Sequence, residues 1–390
     1  MFVQGRMSNS RQSINLVPGV NTDRGEIPLI PVIGRKHKLL STIDIPETVH
    51  EQKYLPLALE LDNSSRKQMI NVCHKGVAHA LLMKPDRFCW GYFWYLGQHQ
   101  QVDAQLKFYA IGDWGVADIN QDNVAEAMSN HAQANGPIDF IVSTGDNFYP
   151  DGVWSADDEQ FTTKWRDIYN LPGISDLTWY ITVGNHDYGQ SGITNNEWYQ
   201  VDFGNIEPRW RLPNLYYNFT MPAGSSTVHF VAIDSQALRR NLNDRESQIT
   251  FIDDQLSNSN ADWKIVFGHH PPYTTGGHAP GSTSIRRYVL PAMEAANADV
   301  YLSGHDHNLE YLRKIDGRDI DYILSGGGGR SLYLQNPLAI PELEVTVGIE
   351  SVMHEADHGF VYFEISERQM TIDYINDRGN RVYQVTRTKP

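Results

Sequence analysis

Five short motifs carry residue types that bind metals: GDWG (112–115), GDNFY (145–149), GNHD (184–187), GHHP (268–271) and GHDH (304–307). Each follows a run of apolar, β-prone residues, and in each a glycine is followed at once by Asp, Asn or His. One Gly-Asp behind a strand is an ordinary turn. Five such endings are a different matter. In α/β sheets ligands bind beyond the carboxyl ends of strands, and glycine there permits a sharp exit and close backbone approach. If the strand ends converge, two carboxylates, an amide oxygen and three imidazoles converge with them. That set suits one or two divalent or trivalent metals of borderline hardness. There are more donors than one metal needs, and two metals roughly 3.5–4 Å apart, bridged by one carboxylate, would use them. Tyr149 then reads as an extra donor, hard and anionic as phenolate, matched to Fe(III).

The elements that must position these residues are legible from Leu106 onward. LKFYAI, DFIVST, WYITV, TVHFVAI, WKIVF, DVYLS and IDYILS read as strands. Residues 123–134, 244–259 and IRRYVLPAMEAAN read as helices. GFVYFEIS and QMTIDYIND read as two strands joined by a tight turn near Glu367 and Arg368. Strands alternating with helices give a layered α/β fold, and the antiparallel tail makes the sheets mixed. Residues 1–105 are different: rich in Pro and Gly, without helical period or catalytic motif, they read as an N-terminal extension of unknown role. Phe88–Gly97 (FCWGYFWYLG) is too short to span a bilayer. Within 83–104 it reads either as a secretory signal placed late or as a hydrophobic strand or helix of the extension.

Composition narrows the function. The 390 residues carry a formal net charge of −15, which argues against a general nucleic-acid binder. It does not exclude an anionic small substrate, since metals reverse the local field. Two cysteines, Cys73 and Cys89, supply neither a disulfide framework nor a Cys-rich zinc site. GxSxG is absent, so a serine nucleophile has no support.

The five motifs together resemble the metallophosphoesterase signature. The tyrosine of GDNFY makes the chain similar to a purple acid phosphatase, the short tartrate-resistant type above all, from about Leu106 to near the C-terminus. The resemblance implies a four-layer αββα sandwich of two mixed sheets. It implies an Fe(III) site of Asp113, Asp146, Tyr149 and His307, and a second site for Fe(II), Zn(II) or Mn(II) of Asp146, Asn185, His269 and His305. His186 and His278 would face the substrate phosphate and protonate the leaving group. The activity implied is acid phosphatase: hydrolysis of phosphomonoesters by in-line attack of a metal-bound hydroxide, without a phosphoenzyme. The alternatives are a phosphodiesterase or nucleotide phosphohydrolase, which the tyrosine disfavours, and an inactive scaffold, which lost ligands would betray. An exported, lumenal or periplasmic location, a monomer and no membrane span complete the expectation. NSS at Asn63 and NFT at Asn218 are glycosylation sequons. His270 departs from the family pattern, and SGGGGR (325–330) has a glycine excess that suggests a mobile loop. His131 reads as a surface residue and His229 as structural. Trp114 is expected against the site wall, and Asp306 to point away from it. His354 and His358 are weak candidates for the site's edge.

Overall fold

The computed structural model describes residues 105–317 and 320–389 with their side chains, and within the first hundred residues only the backbone of short strands. The chain divides into two units, Met1–Gln100 and Gln101–Pro390. In the first, antiparallel strands form, among them Val77–Lys84 paired with Arg87–Trp94. The signal-like reading of 83–104, the cysteines and the Asn63 sequon fall outside the described side chains.

The second unit opens with LKFYAI as strand β1, Leu106–Ile111. Its alternation aims neighbours at opposite faces. Phe108 packs inward, its ring 5.4 Å from Phe230 of the facing sheet. Tyr109 packs outward, its hydroxyl donating to the Met128 carbonyl and meeting His131 Nδ1 at 2.8 Å, both on helix α1, Ile119–Asn135. His131 is therefore not a surface residue: it is partly buried against Tyr109 and Tyr362.

Sheet one continues through β2 (Phe140–Ser143), β3 (Thr178–Ile181) and β4 (Trp210–Arg211), each parallel to its neighbour. On the other side of β1 lie three antiparallel strands. Sheet two is formed by β5 (Tyr217–Ala223), β6 (Ser226–Ala232), β7 (Trp263–Phe267), β8 (Val300–Ser303), β9 (Leu309–Lys314), β10 (Asp321–Ser325) and β11 (Ile349–Glu355). The strands closing sheet one are β12 (Gly359–Ile365), β13 (Gln369–Asn376) and β14 (Arg381–Thr388). The orders are β4-β3-β2-β1-β12-β13-β14 and β5-β6-β7-β8-β10-β9-β11. Both sheets are mixed: β4, β3, β2 and β1 run parallel in sheet one and β6, β7, β8 and β10 in sheet two. Central strands buried on both faces need continuous apolar runs, which IVSTG and IVFG supply.

One core lies between the sheets, where Phe108, Phe140, Phe219, Phe230 and Phe363 stack. Helix α2 (Glu197–Gly204) falls between β3 and β4 in the chain. A second core lies outside sheet two, under α3 (Ser235–Arg240), α4 (Arg245–Ser257), α5 (Thr283–Tyr288) and α6 (Leu290–Ala295), with Val231, Leu238, Ile252, Ile285 and Met293 buried. The fold is the αββα sandwich expected. IRRYVLPAMEAAN forms two short helices rather than one: Pro291 lacks an N–H and sits in the first turn of α6.

Candidate metal centre

The five Gly-led motifs leave the C-terminal ends of β1, β2, β3, β7 and β8, the parallel strands central to the two sheets. Three candidate ligands take left-handed backbone: Asp113 at φ 61°, Asp146 at φ 50° and His305 at φ 71°. Non-glycine residues there are strained, and such strain gathers at functional sites.

All seven predicted ligands meet. The Tyr149 hydroxyl is 3.0 Å from Asp113 Oδ1, 3.0 Å from Asp146 Oδ2 and 3.3 Å from His307 Nε2. His269 Nε2 is 3.2 Å from Asn185 Oδ1, 3.3 Å from Asp146 Oδ2 and 3.1 Å from His305 Nδ1. Asp146 thus touches both groups of four.

Hydrogen bonds behind the cluster orient the rings. His269 Nδ1 donates to the Thr144 carbonyl at 3.0 Å, and His307 Nδ1 donates to the Ser331 carbonyl at 2.7 Å. Each Nε2 lone pair is thereby turned inward, the arrangement that metal-binding imidazoles use. In a neutral His269 this lone pair faces a carboxylate, an amide oxygen and another imidazole nitrogen. Acceptors crowded at these distances repel unless a cation sits among them, so the donor set fits metal ions.

Electrostatics carries the same sign. Burial lowers the His269 pKa, but the Asp146 carboxylate outweighs it and the ring is pushed up to about 9. Burial raises Asp146, yet His269, His186 and His305 hold it below the ordinary carboxylate range. The Tyr149 phenol is pushed far up by burial and by the charges of Asp113 and Asp146. Burial keeps His307 neutral, lowered to about 4. A bound cation reverses the logic for the phenol and carboxylates alike.

His186 and His278 flank the cluster. The His186 ring lies 4.5 Å from the Tyr149 ring, with its Nδ1 2.5 Å from the Pro150 carbonyl. His278 stacks on His305 at 4.0 Å. Both are partly exposed, with 35% and 43% of their side chains open to solvent. They are open to a substrate, as in part are the candidate ligands Asn185 and His305, whereas Asp113, Asp146, Tyr149, His269 and His307 are buried.

Two further residues support this arrangement: Asp306, expected only to point away, and Asp187, which sequence reasoning passed over. Asp306 points away from the ligands, as strand alternation suggests, but toward His278: it accepts from the His278 backbone N–H at 2.9 Å and meets Nδ1 at 2.6 Å. Asp187, the last residue of GNHD, is buried and accepts from the backbone N–H groups of Asn147, Phe148 and Gly184 and from Gln200 Nε2. It pins the GDNFY and GNHD loops together. The conjunction of two Gly-led loops, each with its own carboxylate, was the available signal.

His270 is buried and closed to substrate. Its Nε2 accepts from Arg239, and its Nδ1 donates to Ser235 Oγ at 2.8 Å. Trp114 is fully buried, its Nε1 donating to Ser143 Oγ, within a wall of Phe148, Trp179 and Trp210. His229 is held within its strand by Ser259 and Asn218. His354 meets Asn308 Nδ2 at 2.6 Å and His358 meets the Gly327 carbonyl, so both brace loops that carry the site. The SGGGGR segment is tightly fitted: a Cβ on Gly326 would lie 2.0 Å from the Asp306 carbonyl oxygen, and one on Gly328 2.3 Å from that of Gly112. Its glycines serve close approach, not slack.

Strand-end loops at the heart of two face-to-face sheets, bearing such a donor set, define a phosphoesterase of the calcineurin-like class. The model of that family matches residues 106–309, and the chain belongs to it. Within it the chain groups with the tartrate-resistant, purple acid phosphatases. Tartrate-resistant acid phosphatase type 5 of Mus musculus is 30% identical over 72% of this chain and 90% of that protein. Among solved structures, GAP50, described as the anchor in the inner membrane complex of Plasmodium, is similar with a TM-score of 0.63 and 26% identity. It covers 74% of this chain and 90% of its own. The purple acid phosphatase PPD1 of yellow lupin shares the fold, with a TM-score of 0.57 at 14% identity over 98% of this chain and 74% of its own.

Proposed function

We propose that this enzyme is a binuclear metal-dependent acid phosphatase that hydrolyses phosphomonoesters. The observation that carries this is the double contact of Asp146, within 3.0 Å of Tyr149 and 3.3 Å of His269. One carboxylate shared by two donor groups is what a pair of ions requires. Asp113, Tyr149 and His307 would complete an Fe(III) site, and Asn185, His269 and His305 one for Fe(II), Zn(II) or Mn(II). When bound, the ions supply Lewis acidity: they acidify water and neutralise phosphoryl charge. The chain's own residues do the rest. His186 and His278 hold the phosphate from either side of the ligand cluster. As the P–O bond to the alcohol breaks and water oxygen joins phosphorus, protonated His278 delivers its proton to the leaving oxygen. Asp306 fixes the ring that does so. Such general-acid help is typically worth ~10²–10⁴-fold. An exported or lumenal location goes with this reading, and Asn218 is exposed on the edge strand β5.

The likeness to the Plasmodium anchor protein favours a second reading, a scaffold on the same fold. A visible absorption spectrum with metal analysis of the purified protein separates the two. Two metals per chain, a broad band in the green-to-yellow region and hydrolysis of p-nitrophenyl phosphate at acidic pH support the phosphatase. Well under one metal per chain, not recovered on reconstitution, supports the scaffold.

A further inference from the structure

A cavity of about 460 Å³ opens beside Tyr149, bordered by Asp118, Asn120, Pro150, Lys164, Arg330 and Ser331 among others. Its size suits a small molecule. Tyr149, whose hydroxyl meets Asp113, Asp146 and His307, is part of the cavity's lining. The cavity is cationic in a chain whose net charge is −15. The Arg330 guanidinium carbon lies 4.9 Å over the face of the Tyr149 ring, a cation–π placement. Its backbone N–H donates to the Asp113 carbonyl, which fixes the root of the side chain, while the guanidinium forms no ion pair among the described residues. Lys164 Nζ donates to the Tyr149 carbonyl at 2.5 Å. Lys164 is half-buried, and the nearby Asp158 carboxylate is itself bound to the Trp154 and Gln160 backbone N–H groups. The one acid bordering the cavity, Asp118, is turned to α1: its Oδ1 accepts from the N–H groups of Asn120 and Gln121 as the helix cap. The Asp118 carboxylate and the positive end of this 17-residue helix thus offset each other, and the cavity's positive charge comes from Arg330 and Lys164.

We infer that this cavity is a subsite for a second, non-scissile phosphate, so that the preferred substrates are small phosphomonoesters carrying two phosphate groups. The inference rests on the phosphatase reading above. Two features favour phosphate over a carboxylate or a neutral group. The arginine fork binds phosphate oxygens in pairs, and the two cations match the dianionic charge of a phosphate monoester. A neutral leaving group would occupy the cavity and leave both cations partly desolvated without a counter-anion in it, which costs free energy.

The test uses the full chain reconstituted with iron and zinc, with fructose 1,6-bisphosphate and fructose 6-phosphate as a matched pair. The readout is the ratio of their kcat/KM values in one preparation, which cancels any loss of folded enzyme. Expected is a ratio of roughly ten or more in favour of the bisphosphate, falling toward one in Arg330→Gln and partly retained in Arg330→Lys. The magnitude is that of one charge-assisted hydrogen-bonded contact. The preference should also shrink between low and high ionic strength. A ratio near one in the unaltered enzyme, or one that Arg330→Gln leaves unchanged, overturns the subsite while the phosphatase reading stands. No turnover of either ester by a metal-loaded sample overturns the phosphatase reading, and this inference with it.

Discussion

Single side chains at this site have separable jobs. Tyr149→Phe removes an oxygen that touches Asp113, Asp146 and His307 but keeps a ring of the same shape. The expected result is a folded protein that retains metal and loses the visible band; a band that persists rules out tyrosinate as its source. Asp306→Asn keeps the shape beside His278 but removes the charge that fixes its ring. Expected is a fall in kcat of roughly tenfold or more with little change in KM, read from steady-state kinetics on p-nitrophenyl phosphate. Glu310 offers a pH test. It is wholly buried and surrounded by Thr274, Thr275 and Ser351, and burial pushes its carboxyl up to about 7 from an ordinary 4.5. The folded chain thus holds a proton that the unfolded chain has released. The stability this brings is fully present below about pH 4.5 and is lost as pH rises through 7. At about 1.4 kcal/mol per pH unit over the interval from 4.5 to about 7, the loss is about 3–4 kcal/mol. Urea denaturation of Glu310→Gln beside the parent chain should show the variant gaining by about that much between pH 4 and pH 8; a constant difference contradicts it.

Loops and strands show what a sequence can and cannot disclose. The β1, β2, β3, β7 and β8 runs were legible because buried central strands need unbroken apolar stretches, and their Gly-led endings made the ligands legible with them. Asp187 was not, because its role is to receive N–H groups from a loop forty residues away in sequence. Asp187→Ala should leave those buried donors without an acceptor, destabilising the chain by about 2–5 kcal/mol and lowering metal retention, measured by denaturation and metal analysis. If both stay at parental levels, the two loops are held by something else. The glycines after β10 looked like slack because spacing alone does not reveal what faces a missing Cβ. Gly326→Ala would drive a methyl into the Asp306 carbonyl and should cost about 1–3 kcal/mol as overpacking. Strand β14 escaped notice because an edge strand exposed on one side lacks a run of apolar residues. His131 was misplaced because its helix is rich in Ala, Asn and Gln and shows no clear apolar stripe, so only the Tyr109 contact reveals that it faces the sheet.

At the scale of the molecule, layering was legible from the alternation of strand and helix, whereas the pairing into two sheets came from resemblance, since periodicity does not say which strands share a sheet. No helix among the described residues is long and apolar enough to cross a membrane. The surface is acidic overall, so the cationic cavity beside Tyr149 stands as a local exception that focuses anions toward the ligand cluster. The ligands themselves come from both sides of the sandwich. Asp113, Asp146, Tyr149 and Asn185 follow strands of sheet one, and His269, His305 and His307 follow strands of sheet two. Ions held there would act as a clasp across the seam. Opening the sandwich would tear them from half their ligands, so unfolding and metal release become one event. Metal affinity then adds directly to folding free energy, by RT ln(1 + [M]/Kd) for each ion. Calorimetry should find a melting temperature that climbs with free metal and falls under a chelator, with metal and native signal lost together. Metal leaving well before the heat-absorption peak would mean that the two halves part for reasons of their own.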